Sequence, residues 1–182
     1  MSENTKNKIL NAAESIALRD GAARLTLDAV ALEAGLSKGG VLYNYPSKDA
    51  LVRGMVGRLI EQTEAEMVRI AQSDPEPRGR LLRSYLTVTF PENGSAQAAH
   101  GNQVAAVLLT AILTNPSLLE PVRRHFIEIE RRLMAEGTEE YMVHIVRLAA
   151  DGLWLSEMLH MPGPEGEARH AVIRQLFEMT RG

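Results

Sequence analysis

The stretch TLDAVALEAGLSKGGVLYNYPSKDA, residues 26–50, is the most informative part of this chain. It holds two short segments with helical spacing of apolar residues, and Gly35 lies between them, where a tight turn favours a left-handed residue. Thr26 and Ser37 stand where a side-chain oxygen caps the first turn of a helix. Pro46 ends the second segment, because proline cannot donate the next helical hydrogen bond. The pattern predicts two helices joined by a turn of about three to four residues, the helix-turn-helix layout.

The second of these helices carries side chains that suit the major groove of B-DNA. Lys38, Tyr43 and Asn44 lie along it, and such a helix enters the groove with its N-terminal residues toward the base edges. The backbone amides that follow Ser37 and Ser47 can donate to phosphate oxygens. From spacing alone, an ordinary helical hairpin in an all-helical protein fits equally well.

The same residues resemble a known family. The run from Gly35 to Leu51, GLSKGGVLYNYPSKDAL, is similar to G-x-S-K-G-T-L-Y-Y-H-F-x-S-K-x-x-L, which is typical of the tetracycline-repressor (TetR) family of bacterial transcription factors. The resemblance covers about the first 60 residues and includes Ile9-Leu10-x-Ala12-Ala13. Further along, Asp151–Leu155 resembles a run that is common in the penultimate helix of this family.

The resemblance implies which residues contact DNA. Lys38, Tyr43 and Asn44 would face the groove, and Lys48 would contact a phosphate. The implied DNA-binding residues are Thr26, Ser37, Lys38, Gly39, Gly40, Tyr43, Asn44 and Lys48.

Five positions of this run depart from the family pattern, and three of them bear on the contacts to DNA. Gly40, Leu42 and Asn44 stand where the family usually has Thr, Tyr and His. These departures concern the operator sequence and the individual contacts rather than insertion into the groove. Each implied contact also has a plain structural interpretation. Lys38 and Lys48 can be solvated surface lysines, the tyrosines can pack, and Asn44 can help to end its helix.

Composition and charge narrow the function classes. The 182 residues include no cysteine, which excludes disulfides, thiolate metal sites and a cysteine nucleophile. The first 58 residues hold eight Lys/Arg and six Asp/Glu, and the remaining residues hold twelve and seventeen. The net charges of +2 and −5 suggest that a polyanion would meet the N-terminal part. No apolar run is long enough to span a membrane and no secretory signal is present, so a cytoplasmic protein is expected.

The remaining sequence also predicts helices and shows no alternating strand pattern. We expect an all-α fold with about nine helices: an N-terminal three-helix helix-turn-helix domain and a C-terminal helical ligand-binding and dimerisation domain. Residues 1–46 are predicted to bind DNA, and residues 47–182 to bind effector and dimerise, with a helix over about 47–72 as connector. Breaks are predicted at Ser73–Pro77, at a loop over 91–97 that contains Asn93-Gly94-Ser95, at Asn115-Pro116 and at Pro162–Pro164.

The resemblance further implies a homodimer built by the last two helices and an effector pocket in the same C-terminal part. Small and apolar side chains suit the interface: Ala149, Gly152, Leu155, Val172, Ile173, Leu176 and Phe177. The pocket candidates are Tyr85, Thr89, Val104, Leu108, Phe126, Trp154 and Met158. All of these residues could equally be plain core. The composition favours an apolar or amphipathic effector.

Enzyme chemistry finds less support. Glu157…His160 and Glu167…His170 have the spacing of di-iron ligands in helical bundles, but they flank the Pro162–Pro164 corner instead of facing each other at mid-helix. Glu140, His144, Arg147 and Asp151 form a polar stripe that predicts a charge network. No phosphate loop or nucleophile elbow occurs, and no cofactor is expected. The sequence therefore predicts a ligand-released repressor that binds a palindromic operator. The alternatives are a helical ligand-binding protein or enzyme without specific DNA binding, and a structural adaptor.

Overall fold

The structure is a computed structural model that describes residues 3–91 and 96–181. Over these residues the chain forms nine α-helices and no strand, which confirms the predicted all-α fold. The helices are α1 (Glu3–Asp20), α2 (Leu27–Ala34), α3 (Lys38–Asn44), α4 (Lys48–Ser73), α5 (Arg80–Thr89), α6 (Ala96–Thr114), α7 (Glu120–Met134), α8 (Glu140–Met158) and α9 (Gly166–Met179). Two 3-10 turns occupy Ala22–Arg24 and Pro116–Leu119. The centre of the predicted loop, Asn93-Gly94-Ser95, lies outside the described residues.

The chain divides into two compact units. The first unit comprises Met1–Gln62 and His100–Arg124, and the second comprises Thr63–Ala99 and His125–Gly182. Both α4 and α6 therefore contribute residues to each unit. This division by packing is separate from the predicted division by function at residue 46, which stays a prediction. Over the described residues, none of the helices is both long and apolar enough to cross a membrane.

The helix-turn-helix of the first unit forms as its local sequence predicts. Thr26 Oγ1 accepts a hydrogen bond from Ala29 N at 3.1 Å, and Ser37 Oγ accepts one from Gly40 N at 3.1 Å. Gly35, with φ 63° and ψ 36°, takes the left-handed conformation that ends α2. The capping side chains thus fix where α2 and α3 begin, and the glycine sets the turn between them.

The core of the first unit joins α1 to the helix-turn-helix. Apolar residues three and four apart on α1 face inward, as periodicity predicts. They meet residues of α2, α3, α4 and the later part of α6. The most deeply buried of these side chains are Ile9, Ala13, Leu25, Val30, Val41, Leu51 and Met55.

The second unit is built around α5, in which seven of the ten residues are buried. It packs with α8 and α9, and the core includes Leu82, Leu86, Ile129, Leu133, Val143, Val146, Ala150, Ile173 and Leu176. A buried cation also belongs to this unit. Arg83 donates to Asp74 Oδ2 at 2.6 Å and to the carbonyls of Glu76 at 2.6 Å and Arg78 at 2.9 Å. Arg83 of α5 therefore connects this helix to the segment between α4 and α5, where the sequence predicts a break.

Candidate nucleic-acid interface

Helix α3 presents most of its surface outward. Val41 is its one buried residue, whereas the Tyr43 side chain is 76% exposed. A Cβ atom added at Gly39 or Gly40 would meet only Ser37 Oγ, at 4.0 and 3.4 Å. The protein's own packing therefore does not require glycine at either position. Both glycines lower the helix propensity of α3, while they let an external partner approach the backbone closely.

The two lysines predicted to contact DNA have acceptors in the free chain. Lys38 Nζ lies 3.0 Å from the Asp28 carboxylate, and Lys48 Nζ donates to the Ala22 carbonyl at 3.0 Å. Both lysines are exposed. Neither partner was predictable from a local pattern, apart from the acidic residue in the first turn of α2.

Asn44 and Tyr45 close the C-terminal end of α3. Asn44 Nδ2 donates to the Gly40 carbonyl at 2.8 Å, in agreement with the interpretation that Asn44 helps to end the helix. The Tyr45 ring lies over Gly54 of α4, and burial raises the pKa of its hydroxyl. Tyr45 is thus a packing residue that links α3 to α4, and sequence reasoning missed the role of Gly54 beneath it.

A hydrogen bond links the start of α4 to the end of α6 within the first unit. Asn115 Nδ2 donates to Asp49 Oδ2 at 2.7 Å, and Asn115 Oδ1 accepts from Ser117 N at 3.2 Å. A cavity of about 190 Å³ lies beside this link and is lined by Lys48 among others. The sequence predicted a break at Asn115-Pro116 but not this contact, because its partner lies 66 residues away.

Two family descriptions match the sequence. "Bacterial regulatory proteins, tetR family" matches residues 9–55, and "Tetracyclin repressor-like, C-terminal domain" matches residues 79–181. The second match alone covers more than half of the chain. The chain belongs to the TetR family. This confirms the resemblance that the helix-turn-helix residues carry, and it extends the resemblance to the C-terminal part.

Solved structures share the fold of this TetR-family regulator over nearly its whole length. A transcriptional regulator from Rhodococcus sp. Rha1 aligns with a TM-score of 0.75 at 22% identity, over 97% of this chain and 96% of its own. The multidrug binding protein EbrR, in complex with ethidium, aligns with 0.68 at 26% identity, over 97% and 99%. NalD, the secondary repressor of the MexAB-OprM multidrug efflux pump in Pseudomonas aeruginosa, aligns with 0.57 at 20% identity, over 98% of both chains. No curated protein matches the sequence.

Membership of the family settles the class of the protein. TetR-family proteins are non-enzymatic DNA-binding transcription factors that bind small-molecule ligands, typically as dimers. The regulator interpretation is therefore confirmed over the enzyme interpretation.

The predicted pocket residues of the regulator fall in both units. Val104 and Leu108 are buried in the core of the first unit, beside α1 and α4. The other five lie in the second unit, where Tyr85 is buried and the rest are partly buried: Thr89, Phe126, Trp154 and Met158. The candidates thus do not belong to one common core.

A half-buried polar network runs through α5, α7 and α8. Tyr85 Oη donates to Asp151 Oδ1, and Arg147 Nη1 donates to Asp151 Oδ2 at 3.0 Å. Burial, together with the neighbouring Asp151 carboxylate, raises the pKa of Tyr85 well above its usual value. Burial also raises the pKa of Asp151, against the opposing effects of Tyr85 and Arg147. Glu130 of α7 lies 2.9 Å from His144 Nδ1 and 3.8 Å from Arg147 Nη2, and Glu140 lies 3.7 Å from His144 Nε2, which confirms the predicted charge network on α8.

Among the residues that the structure describes, the other acidic and histidine side chains form no metal site. Glu157 pairs with Arg169, and Glu157 Oε2 accepts from Arg169 Nη2 at 3.3 Å. His160 takes a positive φ of 53° at the end of α8. Across the part of the chain that the structure describes, no cluster of three or more possible ligands could hold a metal ion.

The predicted interface residues divide into two groups. Ile173 and Leu176 are buried in the core of the second unit, so their side chains already pack within the chain. Phe177 is half-buried, and the others are exposed: Ala149, Gly152, Leu155 and Val172. Sequence reasoning assigned all seven to one surface, because an apolar stripe does not show which part faces the chain's own core.

The exposed side of α8 continues this second group. Tyr141, Ile145, Leu148 and Leu159 are 47–60% exposed, and with Gly152 and Leu155 they follow an alternating spacing of four and three residues. This spacing keeps the first five positions on one face of α8, as in the seam between two packed helices, and Leu159 follows as the C-cap residue. We name these six residues the α8 seam.

Proposed function

We propose that this regulator is a repressor that binds a palindromic operator as a homodimer and is released by a small-molecule effector. Residues 1–46 bind DNA, and residues 47–182 bind the effector and dimerise. The observation that carries the proposal is the exposed surface of α3, because Val41 is the one residue of this helix that is buried in the chain's own core. A helix so placed after a capped turn is free to enter the major groove.

The contacts to DNA follow from the caps and the lysines. Lys38, Tyr43 and Asn44 face base edges or nearby phosphates, with Gly39 and Gly40 allowing close approach of the backbone. Thr26 and Ser37 use their hydroxyl oxygens to accept the capping bonds, and each hydroxyl group can still donate to a phosphate oxygen. Lys48 exchanges the Ala22 carbonyl for a phosphate. Since cationic side chains release counterions from DNA, binding is strongly salt-dependent.

The homodimer forms through the α8 seam together with the exposed part of α9. Burial of Leu148, Leu155 and Val172 against the same residues of a second copy removes apolar surface from water. Ala149 and Gly152 allow the helices to approach closely. A homodimer with two-fold symmetry carries two α3 helices, one for each half-site of a palindromic operator.

The effector is an apolar or amphipathic small molecule held by the second unit. EbrR, at 26% identity, is described as multidrug binding and was solved with ethidium, an aromatic cation. The aromatic side chains Tyr85, Phe126 and Trp154, with Thr89 and Met158, supply contacts of the same kind, and Asp151 offers a carboxylate beside them. Val104 and Leu108 belong instead to the core of the first unit.

Release of DNA follows from a shift between two conformations. The effector favours the one whose two recognition helices no longer match major grooves about 34–36 Å apart. Because α4 and α6 each contribute to both units, they offer continuous helical paths for the change.

A genomic pull-down with the purified full-length protein tests the function. Sheared genomic DNA is bound, washed at rising salt and sequenced. One sharp palindromic site beside a promoter is the expected result. Retention of DNA without any preferred site would contradict operator binding and would favour a helical ligand-binding protein.

A further inference from the structure

An exposed ion pair links α2 to α3 in the helix-turn-helix. Nζ of Lys38, the first residue of α3, lies 3.0 Å from both carboxylate oxygens of Asp28, which stands in the first turn of α2. The two side chains are 58% and 68% exposed. Ion pairs as exposed as this one contribute little to stability. We therefore look for a role of this ion pair in contacts between this surface and a binding partner.

A carboxylate at this place opposes DNA binding in a purely electrostatic sense. The N-terminal residues of a recognition helix approach the base edges, where the phosphates on both sides of the groove repel a negative charge. Asp28 also neutralises Lys38, one of the cations proposed to contact DNA. Asp28 has a favourable place in the first turn of α2. It can in addition contact the bases, because carboxylates accept hydrogen bonds from the amino group of cytosine.

We propose that Asp28 and Lys38 together read one G·C base pair in each half-site, with guanine facing Lys38 and cytosine facing Asp28. An ammonium group only donates hydrogen bonds and an ionised carboxylate only accepts them. Guanine presents O6 and N7 as acceptors, and cytosine presents its N4 amino group as donor. O6 and N4 are hydrogen-bonded to each other within the pair, so they lie about 2.9 Å apart. This separation matches the 3.0 Å between the ammonium and carboxylate groups.

The same pair of side chains rejects other base pairs. A reversed C·G pair places the amino group toward Lys38 and O6 toward Asp28, so both contacts become repulsive. An A·T pair is mismatched in the same way. A T·A pair places the acceptor O4 of thymine toward Lys38 and the amino group of adenine toward Asp28, so both hydrogen bonds remain possible. It nevertheless presents the methyl group of thymine where guanine presents N7. The expected order of preference is thus G·C, then T·A, then the two reversed pairs.

The inference rests on the proposed operator binding, and selection from random DNA tests both. Full-length wild type, Asp28→Ala and Glu33→Ala each select duplexes from a library with a randomised core, and the bound pools are sequenced. Glu33 is the matched control, because it lies on α2, carries the same charge and pairs with Arg19 instead. Wild type and Glu33→Ala should share a palindromic consensus. In Asp28→Ala, the preference for one G·C pair per half-site should fall about tenfold, while the other positions keep theirs.

A double exchange sharpens the test. Asp28→Lys with Lys38→Asp keeps an exposed ion pair but reverses donor and acceptor, so the selected base pair should change from G·C to C·G. Thermal unfolding checks that each variant folds.

Three results would overturn the proposal. The first is an unchanged consensus in Asp28→Ala with tighter binding to every duplex, because Asp28 would then act on phosphates alone. The second is a G·C preference that survives the exchange. The third is a wild-type pool without any consensus, which would also overturn the proposed operator binding, so the two failures remain distinguishable.

Discussion

At the scale of single residues, Gly54 shows how one missing side chain positions the recognition helix. A Cβ atom added there would lie 2.6 Å from Cε1 of Tyr45, the residue that follows α3. We expect Gly54→Ala to displace the Tyr45 ring and to lower the free energy of unfolding by about 1–3 kcal/mol, the usual effect of overpacking. Urea unfolding measures the change.

Gly57→Ala is the matched control for that prediction. Gly57 lies on the same helix, three residues further on, and nothing stands within 4 Å of its added Cβ atom. Alanine there should be neutral or should raise the free energy of unfolding by about 0.5–1 kcal/mol. Equal effects of the two substitutions would show that the Tyr45 contact has no energetic consequence.

Lys48 carries a second prediction at this scale. If Lys48 leaves the Ala22 carbonyl to contact a phosphate, Lys48→Ala should weaken binding to all duplexes alike and flatten the plot of log affinity against log salt by about one unit. Arg131→Ala, which removes an exposed cation of the second unit, should leave the slope unchanged. Fluorescence anisotropy with one labelled duplex at several salt concentrations measures both. An unaltered slope for Lys48→Ala would remove Lys48 from the interface.

At the scale of elements, the segment between α4 and α5 depends on one buried cation. Arg83 donates to Asp74 and to two carbonyls of the segment, and its own side chain is 6% exposed. Arg83→Met would leave these acceptors without their donor, so we expect the free energy of unfolding to fall by about 3–5 kcal/mol. Glu178→Gln, which breaks an exposed ion pair with Arg181, should change it by less than about 1 kcal/mol. A loss that small for Arg83→Met would contradict the assigned role.

The same contact makes stability depend on pH. The hydrogen bond from Arg83 lowers the pKa of Asp74 below its usual value, which is near 4. A lowered folded-state pKa means that ionised Asp74 stabilises the fold above about pH 4, and that this contribution is lost as pH falls through the folded-state pKa. Asp74→Asn should therefore be about 1–3 kcal/mol less stable than wild type at pH 7. The difference should shrink when urea unfolding is repeated at pH 3, and a constant difference would contradict the assignment.

Elements were predictable from the sequence where their signals are local. Thr26, Gly35 and Ser37 make their capping contacts with residues three or four positions away. The ends of α2 and α3 can therefore be predicted from the local sequence. The contacts of Asn115 with Asp49 were not predictable, because any polar side chain could serve as the partner until the fold brings α4 and α6 together. Ile173 and Val172 illustrate a third case. Both suit an apolar face, and only the packing of α9 shows that Ile173 is covered within the chain.

At the scale of the whole molecule, the α8 seam leads to a prediction about assembly. Leu148 and Leu155 are 59% and 37% exposed in the single chain, so glutamate at both positions should not disturb its core. In a dimer the same carboxylates would be buried in apolar surroundings, at a large cost in free energy. Leu148→Glu with Leu155→Glu should therefore give folded monomers in analytical ultracentrifugation.

Ile127→Glu is the control for the seam. Ile127 is 70% exposed on α7 and lies outside the α8 seam, so this variant should stay dimeric. A double variant of the seam that sediments as a dimer would place the interface elsewhere.

The effector and the operator must influence each other equally if one molecule binds both. Trp154, the single tryptophan, reports from the second unit, and tetraphenylphosphonium is a suitable amphipathic cation for a first test. Because coupling free energy is reciprocal, the factor by which the cation weakens operator binding must equal the factor by which the operator weakens cation binding, typically about 5–150-fold. Anisotropy of labelled operator gives the first factor, and quenching of Trp154 gives the second.

Tyr85→Phe removes the hydroxyl that donates to Asp151 and keeps the ring, so it should alter affinity for the cation while operator binding without the cation stays close to wild type. Quenching of Trp154 with no change in operator affinity would mean that the second unit binds such cations without controlling DNA.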